Sequence, residues 1–154
     1  MREHMGLYRG KQRESGAWVE GWLVVNRAAI EPEEPEMTFC YILAYGNNSY
    51  VTWYPVDPDT VGECTGLRDK NGKLIFEGDV ISIRFESDYE PPSAPDVWYE
   101  NARIVFSDKY HAWHAVFGDG YECSLWEYDN CDDVFVIGNV TDNPELLKGG
   151  EGDG

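Results

Sequence analysis

Short apolar runs separated by clusters of glycine, proline, asparagine and acidic residues set the grain of this chain. Strand-like runs fall at Ala17–Val25, 38–45, 50–54, 79–85, 97–106, 112–117, 121–126 and 134–140, with Leu74-Ile75-Phe76 as a shorter one. The Ala17–Val25 run alternates imperfectly. Trp18 and Trp22 share one parity while Val19, Leu23 and Val25 share the other, which predicts a strand buried on both faces or a bulge at Gly21. Residues 8–16 read as a polar loop, Glu31–Glu36 as an exposed acidic loop, and Val56–Gly62 as a rigid polar connector. Turns are expected at Gly46–Ser49 and at Gly118-Asp119-Gly120, the latter closing a hairpin.

The richest stretch is residues 62–83. Lys70-Asn71-Gly72-Lys73 and Glu77-Gly78-Asp79 bracket Leu74-Ile75-Phe76, and Val80-Ile81-Ser82-Ile83 follows at once. Asn-Gly predicts a type I′ hairpin turn, which needs positive φ at both central residues. Gly66, Gly72 and Gly78 recur every six residues among polar neighbours, the place for left-handed backbone. Asp69 is placed to close an Asx-type turn onto the amides that follow it. Thr65, Gly66, Leu67, Asp69, Asn71, Gly72, Glu77, Gly78 and Asp79 are therefore read as turn-forming residues.

Residues 86–96 hold three prolines and four acids and read as a loop. Asn143-Pro144-Glu145 has the grammar of a helix start, with Asn143 as N-cap and Pro144 at the first position. The expected fold is mainly β: short antiparallel strands, a small SH3-like barrel in the C-terminal half and a short C-terminal helix. The chain is either one continuous domain over 8–147 or two lobes, 8–54 and 62–147, with 148–154 as a disordered tail.

Several of these residues together resemble a known family. Tyr8-Arg9-Gly10-Lys11 with Gly16-Ala17-Trp18-Val19-Glu20-Gly21, the run Val56 to Gly62, Thr65–Gly72, Ile75–Val80, and Val136-Ile137-Gly138-Asn139-Val140 with Asn143–Leu147 are similar in order and spacing to the YopX family of bacteriophage and prophage proteins. Residues 86–133 depart most, with their acidic proline loop and two cysteines. The resemblance implies a phage or prophage origin, a mostly β fold and a homo-oligomer. It carries over no catalytic residue, because the family has no established biochemical function.

Charge narrows the range of partners. The 154 residues carry a formal net charge of −17, and residues 86–154 hold 16 acids against 3 bases. Such a surface repels a phosphate backbone, so no direct nucleic-acid contact is expected. There is no apolar run long enough for a membrane span and no apolar leader after Met1, so the expected compartment is the bacterial cytoplasm. In that reducing setting Cys40, Cys64, Cys123 and Cys131 are expected as free, partly buried thiols.

Catalytic and metal-binding patterns are thin. His111 and His114 with Cys123 and Cys131 offer two nitrogens and two sulfurs, but at spacings poor for zinc. On a strand the two histidines would point to opposite faces. Asp129, Asp132 and Asp133 cluster near Cys131 without the glycine and bidentate glutamate of an EF-hand. No phosphate-binding loop, dinucleotide fingerprint or Ser-His-Asp order is present, no cofactor is expected, and no carboxylate pair stands out. Of the six tryptophans most are expected in the core, while Trp98 and Tyr99, beside the proline loop, are candidates for a protein interface.

These features favour a non-enzymatic phage accessory module that self-associates and binds a host protein. The rivals are an acidic decoy that occupies the DNA-binding groove of a host protein through residues 86–133, and a metal-dependent hydrolase using Asp129, Asp132 and Asp133.

Overall fold

The structure is a computed structural model and describes residues 6–28, 33, 35–87, 97–127 and 133–148. It divides into two compact units, Met1–Cys64 and Thr65–Gly154. The described residues form a mainly β protein without an α-helix.

In the first unit β1 (Tyr8–Lys11), β2 (Trp18–Ala28), β3 (Met37–Tyr45) and β4 (Val51–Val56) pair antiparallel, in the order β4-β3-β2-β1. The first residues of β5 (Gly62–Arg68) continue the sheet, Gly62 and Glu63 pairing with Arg9 and Tyr8. β1 lies where a polar loop was expected. It is flanked on both sides, by β2 and β5, so ladder pairing overrides its Arg-Gly-Lys composition. Arg9 is buried and its guanidinium lies 4.9 Å from the Trp18 ring centroid, so its stem and charge are both accommodated.

Gly21 marks a hand-over rather than a bulge. Trp18–Gly21 pair with β1 and Trp22–Ala28 pair with β3. At that point the β3 backbone comes so close that a Cβ on Gly21 would lie 2.0 Å from the Leu43 carbonyl oxygen. Cys40, Ile42 and Val56 form the core of this unit, with Tyr8, Val19, Leu23 and Val61 packed around them. The turn at Gly46–Ser49 is present, with Ser49 N–H donating to the Gly46 carbonyl at 3.1 Å. Inside the expected connector, Pro58–Thr60 form a 3₁₀ turn whose Asp57 side chain accepts from Asp59 N–H.

In the second unit β5 ends beside β6 (Leu74–Phe76). Then β7 (Asp79–Glu86), β8 (Val97–Ser107), β9 (Ala112–Phe117), β10 (Glu122–Ser124) and β11 (Val134–Asn139) build a five-stranded antiparallel sheet in the order β10-β9-β8-β7-β11. Its core holds Ile75, Ile81, Ile83, Ile104, Leu125 and Val134, all almost fully removed from water. Each such side chain contributes about 1.5–3 kcal/mol of burial free energy.

Two fold expectations are corrected here. The sheet is open, with β10 and β11 at its edges, where a closed SH3-like barrel was expected. Closure requires consistent tilt and stagger through every strand, and the three-residue β10 is too short to carry such a ladder. The expected C-terminal helix is a single 3₁₀ turn, Pro144–Leu147. Asn143 does not cap it with its side chain. Its Oδ1 instead accepts from Asn139 N–H at 3.3 Å, and Gly149-Gly150 supply no helix formers to continue the turn.

The glycine-rich stretch folds as two turns, Asp69–Lys73 and Phe76–Asp79, while Thr65, Gly66 and Leu67, expected to form a turn, lie within β5. Gly66, Gly72 and Gly78 take φ of +80°, +82° and +85°. Asn71 does not share the left-handed conformation, so the type I′ expectation fails. Gly72 N–H donates to the Asp69 carbonyl and Asp69 N–H to the Lys73 carbonyl, a three-residue loop in which the glycine alone is left-handed. The Gly118-Asp119-Gly120 hairpin repeats this geometry, with Gly120 at φ +88°.

Asp69 organises the first of these loops. It is 5% exposed, its Oδ1 accepts from Asn71 and Lys73 N–H at 2.9 Å each, and its Oδ2 accepts from Val136 N–H at 3.0 Å. The Asx turn is therefore there, and it reaches further than the local sequence suggests, across to β11. Lys70 N–H adds a bond to the Val134 carbonyl at 3.0 Å. Asp79, also buried, accepts from Phe76 N–H at 2.8 Å and closes the second turn, while Thr65 Oγ1 donates to the Ile75 carbonyl at 2.8 Å.

Replacing Asp69 by Asn turns an NH2 toward at least one of three N–H donors. Asp69→Asn is expected to destabilise by about 1–3 kcal/mol and Asp69→Ala by about 3 kcal/mol or more. Gly72→Ala, forced to φ > 0, should cost about 1–2 kcal/mol. Urea denaturation followed by circular dichroism measures all three, and an Asp69→Ala midpoint equal to wild type would refute the role given to that carboxylate.

Candidate protein-interaction surface

The register of β2, β3 and β4 sorts their side chains onto two faces. Val25, Cys40 and Val56 stand in one cross-strand row, and Leu23, Ile42 and Tyr54 in another, on the face that carries the core. The alternate positions form the other face: Trp22, Leu43 and Trp53 in one row, Val24, Tyr41 and Pro55 in the next, and Tyr45 opposite Val51. A pleated sheet with one buried face ordinarily turns polar residues to water on the other. Here that face is apolar as well.

It is also exposed. Trp22 is 55%, Trp53 56% and Tyr45 69% accessible, and Met37, Phe39 and Val51 add to the patch. Tyr41 meets Trp53 edge-on, with ring centroids 5.8 Å apart, so part of the face is already ordered by aromatic packing. No Asp, Glu, Lys or Arg occurs anywhere from Met37 to Val56. That twenty-residue gap lies in a chain of net charge −17.

The tryptophan expectation is thereby corrected. Trp22, Trp53, Trp98 and Trp126 are exposed, and Trp18 and Trp113 are partly buried. Apolar residues on both parities of β2 were read as burial on both sides, but this unit supplies a core for one side only. The signal that could have found the surface was the missing charge combined with aromatic residues at both parities.

The two residues proposed from sequence as interface anchors stand on β8. Trp98 stacks on Phe85 with centroids 5.5 Å apart and its Nε1 donates to Glu100 at 3.1 Å, so it caps the core of its own unit. Tyr99, opposite Arg84 in the register, is 58% exposed. Arg84 pairs with Glu86 and lies 3.7 Å from Asp133, and the hydrogen bond to Glu86 holds its guanidinium above the ordinary arginine range.

Among the described residues, those weighed for metal or catalytic chemistry do not converge. Asp129, Asp132 and Cys131 lie outside the described residues, and Asp133 is engaged with Arg84. His111 sits in a turn at φ +52° rather than on a strand, and His114 is buried on β9. Ser124 faces His114 in the register and Cys123 faces Ala115, so His114 and Cys123 point to opposite sides of the sheet. The imidazole of His114 stacks on Tyr110, centroids 5.0 Å apart, and its Nδ1 stands 3.6 Å from Glu122 Oε2, beyond hydrogen-bond reach. Among the described residues no three His, Cys, Asp or Glu side chains group as metal ligands. No described helix is long and apolar enough to cross a membrane. The residues read from sequence as turn-forming serve as scaffold: Thr65, Gly66 and Leu67 within β5, and Asp69, Asn71, Gly72, Glu77, Gly78 and Asp79 at the two turns that follow, with two buried carboxylates joined to backbone amides.

The chain belongs to the YopX protein family, whose model matches residues 7–148. It is similar to a solved structure, the crystal structure of protein EF1440 from Enterococcus faecalis, at 21% identity over 91% of this chain and 96% of that one, with a TM-score of 0.49. No curated protein matches the chain.

Cys40, Cys64 and Cys123 are buried, and burial pushes the Cys40 thiol above its ordinary pKa. Native protein treated with an alkylating reagent near neutral pH is expected to label these three only at the rate of unfolding, with peptide mapping as the readout. Rapid labelling of Cys40 in folded protein would contradict the closed first-unit core.

Proposed function

We propose that this YopX-family chain works by association rather than catalysis, as a phage- or prophage-derived accessory module of the bacterial cytoplasm that self-associates and holds a host protein. The observation that carries the reading is the exposed aromatic face of β2–β4, free of charged residues across β3 and β4. Exposed apolar patches beyond a few hundred Å² are characteristic of interaction sites, and Trp and Tyr are the residues that concentrate there. The sites weighed for chemistry give no such support, since the described groups that could act as acid, base or ligand are dispersed or already engaged.

The reading separates from the acidic-decoy reading by salt. Apolar association persists as ionic strength rises, whereas capture of a basic protein by a net charge of −17 weakens steeply. Tagged protein incubated with nuclease-treated bacterial lysate is expected to retain a non-basic protein equally at low and high salt, identified by mass spectrometry. A basic DNA-binding protein lost at high salt would replace this reading with the decoy. Turnover of a phosphoester or peptide substrate that stops on chelation would replace it with the hydrolase.

A further inference from the structure

We infer that the free edge of β4 takes an extended strand from a partner protein, a segment with apolar residues at alternate positions and no acids, which adds itself to the sheet. The inference rests on the association reading above and deepens it by naming the chemistry of the partner.

Backbone direction is the first argument. Gly46 N–H donates to the Tyr50 carbonyl at 2.9 Å, and the register runs unbroken from Tyr45 opposite Val51 to Cys40 opposite Val56. Bonded and non-bonded pairs alternate along an antiparallel ladder, so Thr52, Tyr54 and Val56 turn their backbone groups to β3. Val51, Trp53 and Pro55 turn theirs outward. Two observations agree with this. Pro55, which has no N–H to lose, stands at an outward position, and Asp57 N–H, next in that series, reaches away from β3 to the Lys11 carbonyl at 2.9 Å. The complement of outward N–H and C=O groups at a sheet edge is another extended chain.

The other edges make the second argument. On β11, Lys70 N–H occupies the Val134 carbonyl and Asp69 accepts from Val136 N–H. β10 is only three residues long. On β6 the Asp79 carboxylate holds Phe76 N–H. Such devices keep an edge from pairing further. β4 has no charged residue and no bulge, and among the described residues no turn or loop bonds to Val51 or Trp53.

Side chains and charge select the strand. Val51 and Trp53, the outward residues, also belong to the exposed aromatic face. Alternate residues of an added strand would lie beside them on that face, where apolar groups fit. With no charge from Met37 to Val56 and a net −17 overall, an acidic segment would find no counter-charge there and would be repelled, while basic flanks are attracted. A second copy of β4 fits worse. Paired antiparallel about Trp53, each proline would leave one Val51 carbonyl without its donor, a loss suffered twice where a foreign strand suffers it once.

Amide hydrogen exchange of the full chain tests the inference with two synthetic probes, a peptide of alternating valine and threonine flanked by lysines and its glutamate-flanked counterpart. The Val51 and Trp53 amides are expected to exchange faster than those of Thr52 and Tyr54 in the free protein, and to slow when the lysine-flanked peptide is added. The glutamate-flanked peptide should bind roughly tenfold more weakly or worse. Val51→Pro removes an outward donor and leaves the pairing with β3 intact. It should weaken binding roughly tenfold, about the effect of one backbone hydrogen bond, with far-UV circular dichroism unchanged. Slow exchange of Val51 and Trp53 in dilute free protein would overturn the open edge. Protection that appears on concentrating the protein without peptide would replace the foreign strand with a second copy. Capture from bacterial lysate separates this inference from the reading it rests on. A retained protein lost with Val51→Pro supports the edge. One lost with Trp22→Glu but kept with Val51→Pro overturns the edge and leaves association standing. No peptide bound and no protein retained overturns both.

Discussion

A buried carboxylate that collects backbone N–H groups is the constraint on which the second unit depends. Asp69 binds two amides of its own loop through one oxygen and an amide of β11, 67 residues away in sequence, through the other. An ionised carboxylate can be kept out of water only if its lone pairs are satisfied, and three N–H donors do that. The local turn and the long-range strand contact therefore form together: lose either, and the charge is left short of partners in a dry site. Asp79 repeats the device on a smaller scale at Phe76 N–H. Glycines at 72 and 78 let the chain reverse tightly enough for both.

The first unit solves a different problem. Its core is small, centred on Cys40, Ile42 and Val56, and its sheet has more apolar residues than one face can hold. Gly21 lets β2 change partner from β1 to β3 with the backbones nearly touching. That hand-over extends the sheet and displays Trp22 beside Leu43 and Trp53 on the side away from the core. The same construction thus creates the core and the surface.

Much of the fold was legible because strands and turns are local. Apolar runs marked β2–β4 and β6–β11, and the glycines at 66, 72 and 78 pointed to left-handed backbone. β1 and β5 escaped notice because their residues, Arg9-Gly10-Lys11 and Gly62–Arg68, lack an apolar pattern and owe their conformation to neighbouring strands. Openness of the five-stranded sheet is a property of strand order, which no local pattern encodes. The interaction surface was illegible for a related reason. Period-two alternation shows that Trp22 and Trp53 share a face, but which face meets water is fixed only by where the rest of the chain goes.

The charge-free stretch also has a consequence before folding is complete. Thr38 to Tyr45 is an eight-residue run of β-formers without charge or proline, the composition of a segment that pairs with copies of itself in extended stacks. In the finished sheet it is held between β2 and β4, and Pro55 denies the edge strand one donor for further pairing. After partial unfolding that protection is gone. What remains is the chain's acidity, concentrated in residues that follow this run, which keeps released chains apart by mutual repulsion. The excess of aspartate and glutamate then serves as a built-in solubiliser for the sticky strand that precedes it.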